Sequence, residues 1–164
     1  MSIQITDLSA IQLTGDDLSD FSPRLTSAQP IYSPTAPGKP ACVLGWRDRW
    51  CFNNAPAQTL AISYWLFASD EEALSAAAKG RLRLSARTVL INGSHESIYL
   101  PQSKIEADSL LADRVWQGDG NFLFVRRNIA GLVAEFGKQI SPKTTLSIAR
   151  RILEKIHNEL TPGG

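Results

Sequence analysis

Residues 114–136 read RVWQGDGNFLFVRRNIAGLVAEF, and this run decides the fold. Val115 and Trp116 precede Gly118-Asp119-Gly120-Asn121, and Phe122-Leu123-Phe124-Val125 follows. Two β-favouring runs therefore flank residues that accept positive φ, which predicts a hairpin. The second run continues through Arg126, Arg127 and Asn128 into Ile129 to Phe136, too long for one plain strand. A bend or bulge near Asn128 or Gly131, or a further turn there, would divide it into two pairing strands. Both alternate faces of Phe122 to Val125 are apolar, as expected where a sheet is covered on both sides or forms the middle of a small domain.

After Gly137, Ser141 and Pro142 combine an N-cap with a proline at the first helical position, where its missing N–H costs nothing. Leu146, Ala149, Ile152, Leu153, Ile156 and Leu160 then recur at helical spacing, with Arg150, Arg151, Glu154, Lys155 and Glu159 on the other side. The pattern predicts a C-terminal amphipathic helix lying on the sheet, with residues 161–164 as a frayed tail.

Working back toward the N-terminus, Ser85 to Ile91 and Ser97 to Leu100 read as two strands around Asn92-Gly93-Ser94, while Ile105 to Leu111 is ambiguous between a helical turn and a loop. Ser69-Asp70-Glu71-Glu72 is a capping box opening a helix through Ala73, Leu74, Ala76, Ala77 and Ala78, with Gly80 its weak point. Leu60 to Phe67 is a strand with bulky residues on both faces. Residues 21–41 hold Pro23, Pro30, Pro34, Pro37 and Pro40 among Ser, Thr and Ala, and are expected to be an irregular surface connection. Gln4 to Leu13 suggests a short first strand, followed by a turn or helix start at Thr14 to Leu18. The expected fold class is α+β: a single antiparallel-rich sheet packed by helices in an α/β/α sandwich-like arrangement, residues 1–164 forming one domain.

Seventeen basic and 16 acidic side chains nearly cancel, so no large field gathers nucleic acid or an anionic membrane. No apolar run approaches the roughly 20 residues of a membrane-spanning helix, and Met1 to Leu13 lacks the layout of a signal peptide. The expectation is a cytoplasmic protein, with an exported mature domain left open. Cys42 and Cys51 flank Val43 to Trp50. If that segment is a hairpin centred between Trp46 and Arg47, the cysteines face each other and could be bridged; the other reading is two reduced thiols. Their spacing fits neither a redox pair nor a zinc knuckle.

Chemistry is scarce. The only histidines are His95, in an expected turn beside Glu96, and His157, near the C-terminus of the last helix, where it complements the dipole. Asp16-Asp17, Asp70-Glu71-Glu72 and Asp119 are explained by turns and helix starts, and none forms a calcium loop. Gly118 and Gly120 lie between strands and do not make a phosphate loop. No catalytic set, metal site or cofactor is expected.

Two features stand above this background as candidate ligand- or partner-binding residues. In Trp46-Arg47-Asp48-Arg49-Trp50, an extended backbone would put both tryptophans on one face and Arg47 and Arg49 on the other. Such a segment can stack on a partner or bind an anion; alternatively the tryptophans are core and the arginines solvated, with Asp48 satisfying one. In Arg126-Arg127-Asn128, one arginine must face whatever covers the sheet and needs a carboxylate such as Glu135, or a ligand.

The stretch from Trp116 to Glu135 and its helix, an apolar strand bearing an arginine and an asparagine before a terminal helix, resembles the end of small bacterial and photosynthetic α+β domains of the Mog1/PsbP type. The likeness covers the last third of the chain and implies a sheet sandwiched by helices in a mostly non-catalytic accessory or binding module. The proline-rich stretch and Trp46 to Trp50 have no counterpart there, so no functional residues carry over. The expected function is a non-enzymatic module that binds a protein or itself; the alternative is a small anionic-ligand binder or enzyme with a pocket near Arg126 and His95 as its base.

Overall fold

The computed structural model describes residues 4–31, 42–84, 86–91, 94–99, 103–104, 112–118, 121–137 and 139–161, with backbone alone for 79–84, 86–91, 94–99, 103–104 and 118. Its strands are β1 (Pro23–Pro30), β2 (Leu44–Phe52), β3 (Thr59–Leu66), β4 (Ala86–Ile91), β5 (Ser94–Tyr99), β6 (Ser103–Lys104), β7 (Arg114–Gly118), β8 (Asn121–Arg126) and β9 (Ile129–Phe136), and its helices are α1 (Asp70–Leu84) and α2 (Pro142–Leu160). Seven strands form one sheet in the order β1-β2-β3-β9-β8-β7-β6, and all the pairings are antiparallel. The β4–β5 hairpin forms a separate two-stranded sheet.

The stretch at 114–136 forms two successive hairpins. β7 and β8 close at Gly118↔Asn121, and β8 and β9 close at Arg126↔Ile129. The second turn is tight because Arg127 adopts φ 54°, a left-handed conformation uncommon for a residue with a Cβ. Pairing then stacks Gly131 opposite Phe124. A Cβ at 131 would run into the Phe124 ring, so glycine is what lets that ring lie flat across the neighbouring strand.

Strand alternation splits the core into two layers. Leu60, Ile62, Tyr64 and Leu66 face one side with Trp50, Phe52, Phe122, Phe124, Ile129 and Val133, beneath Ile148, Ala149, Ile152, Leu153 and Ile156 of α2. Trp65, Phe67, Leu123, Val125 and Ala130 face the other, beneath Ala73, Ala76 and Ala77 of α1. The expected α+β sandwich is therefore present, and the all-apolar β8 is explained by a helix on each face. Both helix starts read from the sequence are capped: Ser141 Oγ accepts from Thr144 N at 3.2 Å, and Ser69 Oγ from Glu72 N at 3.1 Å.

Three expectations are corrected. Gln4 to Leu13 forms no strand. Asp7 caps a single 3-10 turn at Leu8–Ala10, and Ile5, Leu8 and Ile11, spaced by three, bury themselves in the α2-side core. Within residues 21–41, Pro23–Pro30 is the edge strand β1, because prolines are tolerated where one side of a strand carries no ladder. Residues 32–41 lie outside the described residues, as do Ile105 to Leu111 and the tail beyond Thr161. Finally, Leu44–Phe52 is one unbroken strand and not a hairpin. From Leu44 to Cys51 alone an extended chain rises roughly 23 Å, so Cys42 and Cys51 cannot be bridged to each other. Neither forms a disulfide.

Candidate functional site

β2 stays extended through Trp46-Arg47-Asp48-Arg49-Trp50, so the alternation read from the sequence holds. Trp50 is buried and Trp46 packs at the margin of the α2-side core. Asp48 lies on that same face and accepts a hydrogen bond from Trp46 Nε1 at 2.8 Å. It does not satisfy an arginine, as the sequence had suggested, because alternation turns Arg47 and Arg49 to the opposite face. Burial pushes the Asp48 carboxyl above its ordinary pKa, with the Trp46 hydrogen bond opposing.

On the α1-side face the register brings three rows together. Arg24, Cys51, Thr59 and Phe136 form one; Ser27, Arg49, Ala61 and Ala134 the next; Gln29, Arg47, Ser63 and Leu132 the third. The next row, with Trp65 and Ala130, belongs to the layer beneath α1. Small side chains thus floor the middle of this half-sheet, left open by the described helices, with arginines along β1 and β2 and Phe136 and Leu132 along β9. Arg47 Nε donates to Ser63 Oγ at 3.0 Å, and the Arg49 guanidinium sits 5.4 Å from the centroid of the Phe136 ring.

The two acidic residues of these strands, Asp48 and Glu135, both alternate to the other face. No carboxylate among the described residues pairs with Arg24, Arg47 or Arg49. Burial first, and the positive Arg49 second, draw the pKa of Arg47 below its ordinary value. An anion placed between them would oppose this shift by favouring the charged form of both.

Arg126-Arg127-Asn128 is differently disposed. Arg126 Nη1 pairs with Asp113 Oδ1 at 3.1 Å, and Arg127 Nη1 with Asp70 Oδ2 at 3.2 Å. The partner of Arg126 is thus Asp113, not Glu135, because β8 sets its last residue beside the start of β7. The other oxygen of Asp113 accepts from Arg127 N at 2.6 Å, fixing the turn. Asn128 is 2% exposed and bonded on both ends: Nδ2 donates to Ile5 O at 2.8 Å and Phe67 O at 3.1 Å, and Oδ1 accepts from Ile5 N at 3.1 Å. It holds the N-terminal segment against the β3 exit, and with both amide protons committed it has no donor left for a ligand.

A hollow of about 230 Å³ lies between α1 and this turn, lined by Asp70, Glu71, Leu74, Asp113, Arg114, Val125 and Arg127. Its arginines already meet protein acceptors: Arg127 bonds to Asp70, and Arg114 Nη1 to the Asp113 carbonyl at 3.0 Å. His157 lies half-buried in the last turn of α2, and the side chain of His95 is outside the described residues. Among the described residues, no three His, Cys, Asp or Glu side chains are grouped to hold a metal, and no helix is long and apolar enough to cross a membrane.

Comparison with protein-family models and with curated proteins finds no match for this chain. Its site is read from its own geometry. The sequence supplied Arg47 and Arg49 but not Arg24 and Phe136, which pairing brings into the same row, nor Asp113, the residue just before β7 and without a motif of its own.

Proposed function

We propose that this chain is a non-enzymatic binding module whose open half-sheet, bearing Arg24, Arg47, Arg49 and Phe136, holds an anionic region of a protein partner. The observation that carries this is Arg47. A guanidinium half-withdrawn from water, bonded to a serine, next to a second arginine and without a carboxylate among the described residues, is a costly arrangement that an acidic partner would relieve. Arg49 over the exposed Phe136 ring adds a planar, amphipathic element of the kind that anchors interfaces.

An accessory or binding role is also what the resemblance of the last third to Mog1/PsbP-type domains implies. The alternative, an anion pocket near Arg126, has less support because Arg126 and Arg127 are each already paired with an aspartate.

The test is to titrate the ¹⁵N-labelled protein with poly-L-glutamate and, separately, poly-L-lysine. Glutamate should shift the amides around Arg47, Arg49, Ser63 and Phe136, and the shifts should weaken with salt and vanish in the Arg47→Glu, Arg49→Glu double variant. Shifts confined to Asp70, Asp113 and Arg127, or none at all, would remove the reading.

A further inference from the structure

Resting on that reading of the arginine face, we infer how the acidic partner is held: as an extended segment that adds a strand to the free edge of β1. Among the described residues β1 pairs on one side only, with β2. An unpaired strand edge offers a row of N–H and C=O groups to any extended chain.

The register fixes which groups are on offer. Ile31 N donates to Gly45 O at 3.1 Å, which makes Ile31 and Gly45 a hydrogen-bonded pair. In an antiparallel ladder such pairs alternate. Gln29↔Arg47 is therefore bonded inward, and Ala28↔Asp48 is not. The N–H and C=O of Ala28 consequently point outward, and Ala28 is exposed.

The limits of the edge are equally visible. Pro23 and Pro30 close the strand at each end, and a bulge between Leu25 and Ser27 is held by Thr26 Oγ1 donating to Arg49 O at 3.2 Å. Bulges and prolines are devices that keep edges from pairing indiscriminately. Here they leave a short regular ladder around Ala28, too little for backbone bonds alone to give affinity or selectivity.

Charge supplies both. Residues of an added strand that lie opposite Ser27 and Gln29 project their side chains onto the face that carries Arg49 and Arg47. Two strand spacings, on the order of 10 Å, separate the new backbone from β2, within the combined reach of a glutamate and an arginine. A segment with carboxylates at alternate positions therefore satisfies the edge and the arginines together. One with its acids in a block meets only half of that requirement.

The experiment uses the full chain and three peptides of equal composition: Glu and Val alternating, the same sequence with alternate backbone nitrogens methylated, and Glu and Val in two blocks. The alternating peptide should slow hydrogen exchange at the Ala28 amide and bind at least about tenfold more tightly than the other two. Its binding should also fall by about tenfold in Arg47→Glu, Arg49→Glu. If the methylated peptide binds equally well and Ala28 stays unprotected, strand addition is overturned while the arginine-face reading stands. Should no acidic peptide and no poly-L-glutamate bind, both fall. Ala28 protected without peptide, in a protein that sediments as a dimer, would assign the edge to a second copy and overturn the acidic partner.

Discussion

Asn128 and Ile5 exchange two hydrogen bonds across 123 residues of chain, Nδ2 to the Ile5 carbonyl at 2.8 Å and the Ile5 N–H to Oδ1 at 3.1 Å. A side-chain amide here does what a neighbouring strand would do for one residue of an N-terminal segment that has no strand of its own. Replacing Asn128 by alanine strands three buried backbone groups, those of Ile5 and the Phe67 carbonyl, and should cost about 2–4 kcal/mol. Urea denaturation gives the magnitude, and hydrogen exchange at Ile5 should accelerate before global unfolding does. A variant as stable as the parent, with Ile5 still protected, would show that the clamp is dispensable.

Gly131 makes a second, steric prediction. Its α-carbon faces the Phe124 ring, and an added methyl collides with it. Gly131→Ala should lose about 1–3 kcal/mol through overpacking. Phe124→Leu alone should also destabilise, by opening space in the α2-side core. Combining the two should cost less than the sum of the single changes, because the smaller side chain vacates the site of the clash. Strict additivity in a denaturation double-mutant cycle would refute that contact.

Asp48 should make the protein less stable as pH rises. Its folded pKa is raised by burial, so the folded state favours the protonated acid. The penalty is absent below the ordinary carboxylate pKa, near 4, grows as pH climbs through the raised value, and is constant above it. Asp48→Asn keeps an acceptor for Trp46 Nε1 without the charge. It should therefore be no less stable than the parent at pH 4 and gain on it toward pH 7. An Asn variant that is uniformly weaker at every pH would mean that the carboxylate has a favourable partner in the folded protein.

The parts of this fold legible in the sequence are those in which a local pattern and a tertiary demand coincide. The turn before Phe122, the capped helices at Ser69 and Ser141 and the apolar face of α2 each announce themselves within a dozen residues. What stayed hidden depends on pairing between distant segments. β1 reads as a proline-rich loop because only an edge position makes Pro23 and Pro30 acceptable, and that position is set by β2. Asn128 looked available for a ligand because nothing near it in sequence shows that Ile5 and Phe67 converge on it. The arginine face was half visible: alternation put Arg47 and Arg49 on the face away from the two tryptophans, but that Asp48 turns away from them, and that Arg24 and Phe136 join them, follows only from the register of four strands.

The two thiols offer a direct check on β2. Because Cys42 lies just before this extended strand and Cys51 near its far end, reductant should leave stability unchanged and both should react with a thiol reagent. Cys42, half-buried, should be modified first. Cys51, 2% exposed and hydrogen-bonded to the Ala55 carbonyl at 3.3 Å, should react only as the fold opens. A mass two units lower without reductant, with a Cys42–Cys51 crosslinked peptide, would contradict the strand.

The N-terminal layer is also fastened from the α2 side, and acid should loosen it. Lys155 Nζ sits 2.6 Å from Asp17 Oδ2 and donates to the Gln12 carbonyl at 2.9 Å, while Arg151 holds Asp20 through two hydrogen bonds of 2.8 Å. Burial alone would push the Asp17 carboxyl up, but hydrogen bonds from Lys155 and Thr14 outweigh it and hold the group below its ordinary pKa. Asp20 is held low chiefly by Arg151. A folded pKa below the unfolded one gives stability that is complete above the unfolded value, near 4, and is lost as pH falls through the folded value. Lys155→Met should therefore cost about 1 kcal/mol or less at pH 7, the pair being partly solvated. The gap between variant and parent should narrow below pH 4, leaving the part due to the Gln12 carbonyl, which does not titrate. Denaturation at pH 3, 5 and 7 measures it, and a gap that widens toward acid would show that Lys155 does not act through Asp17.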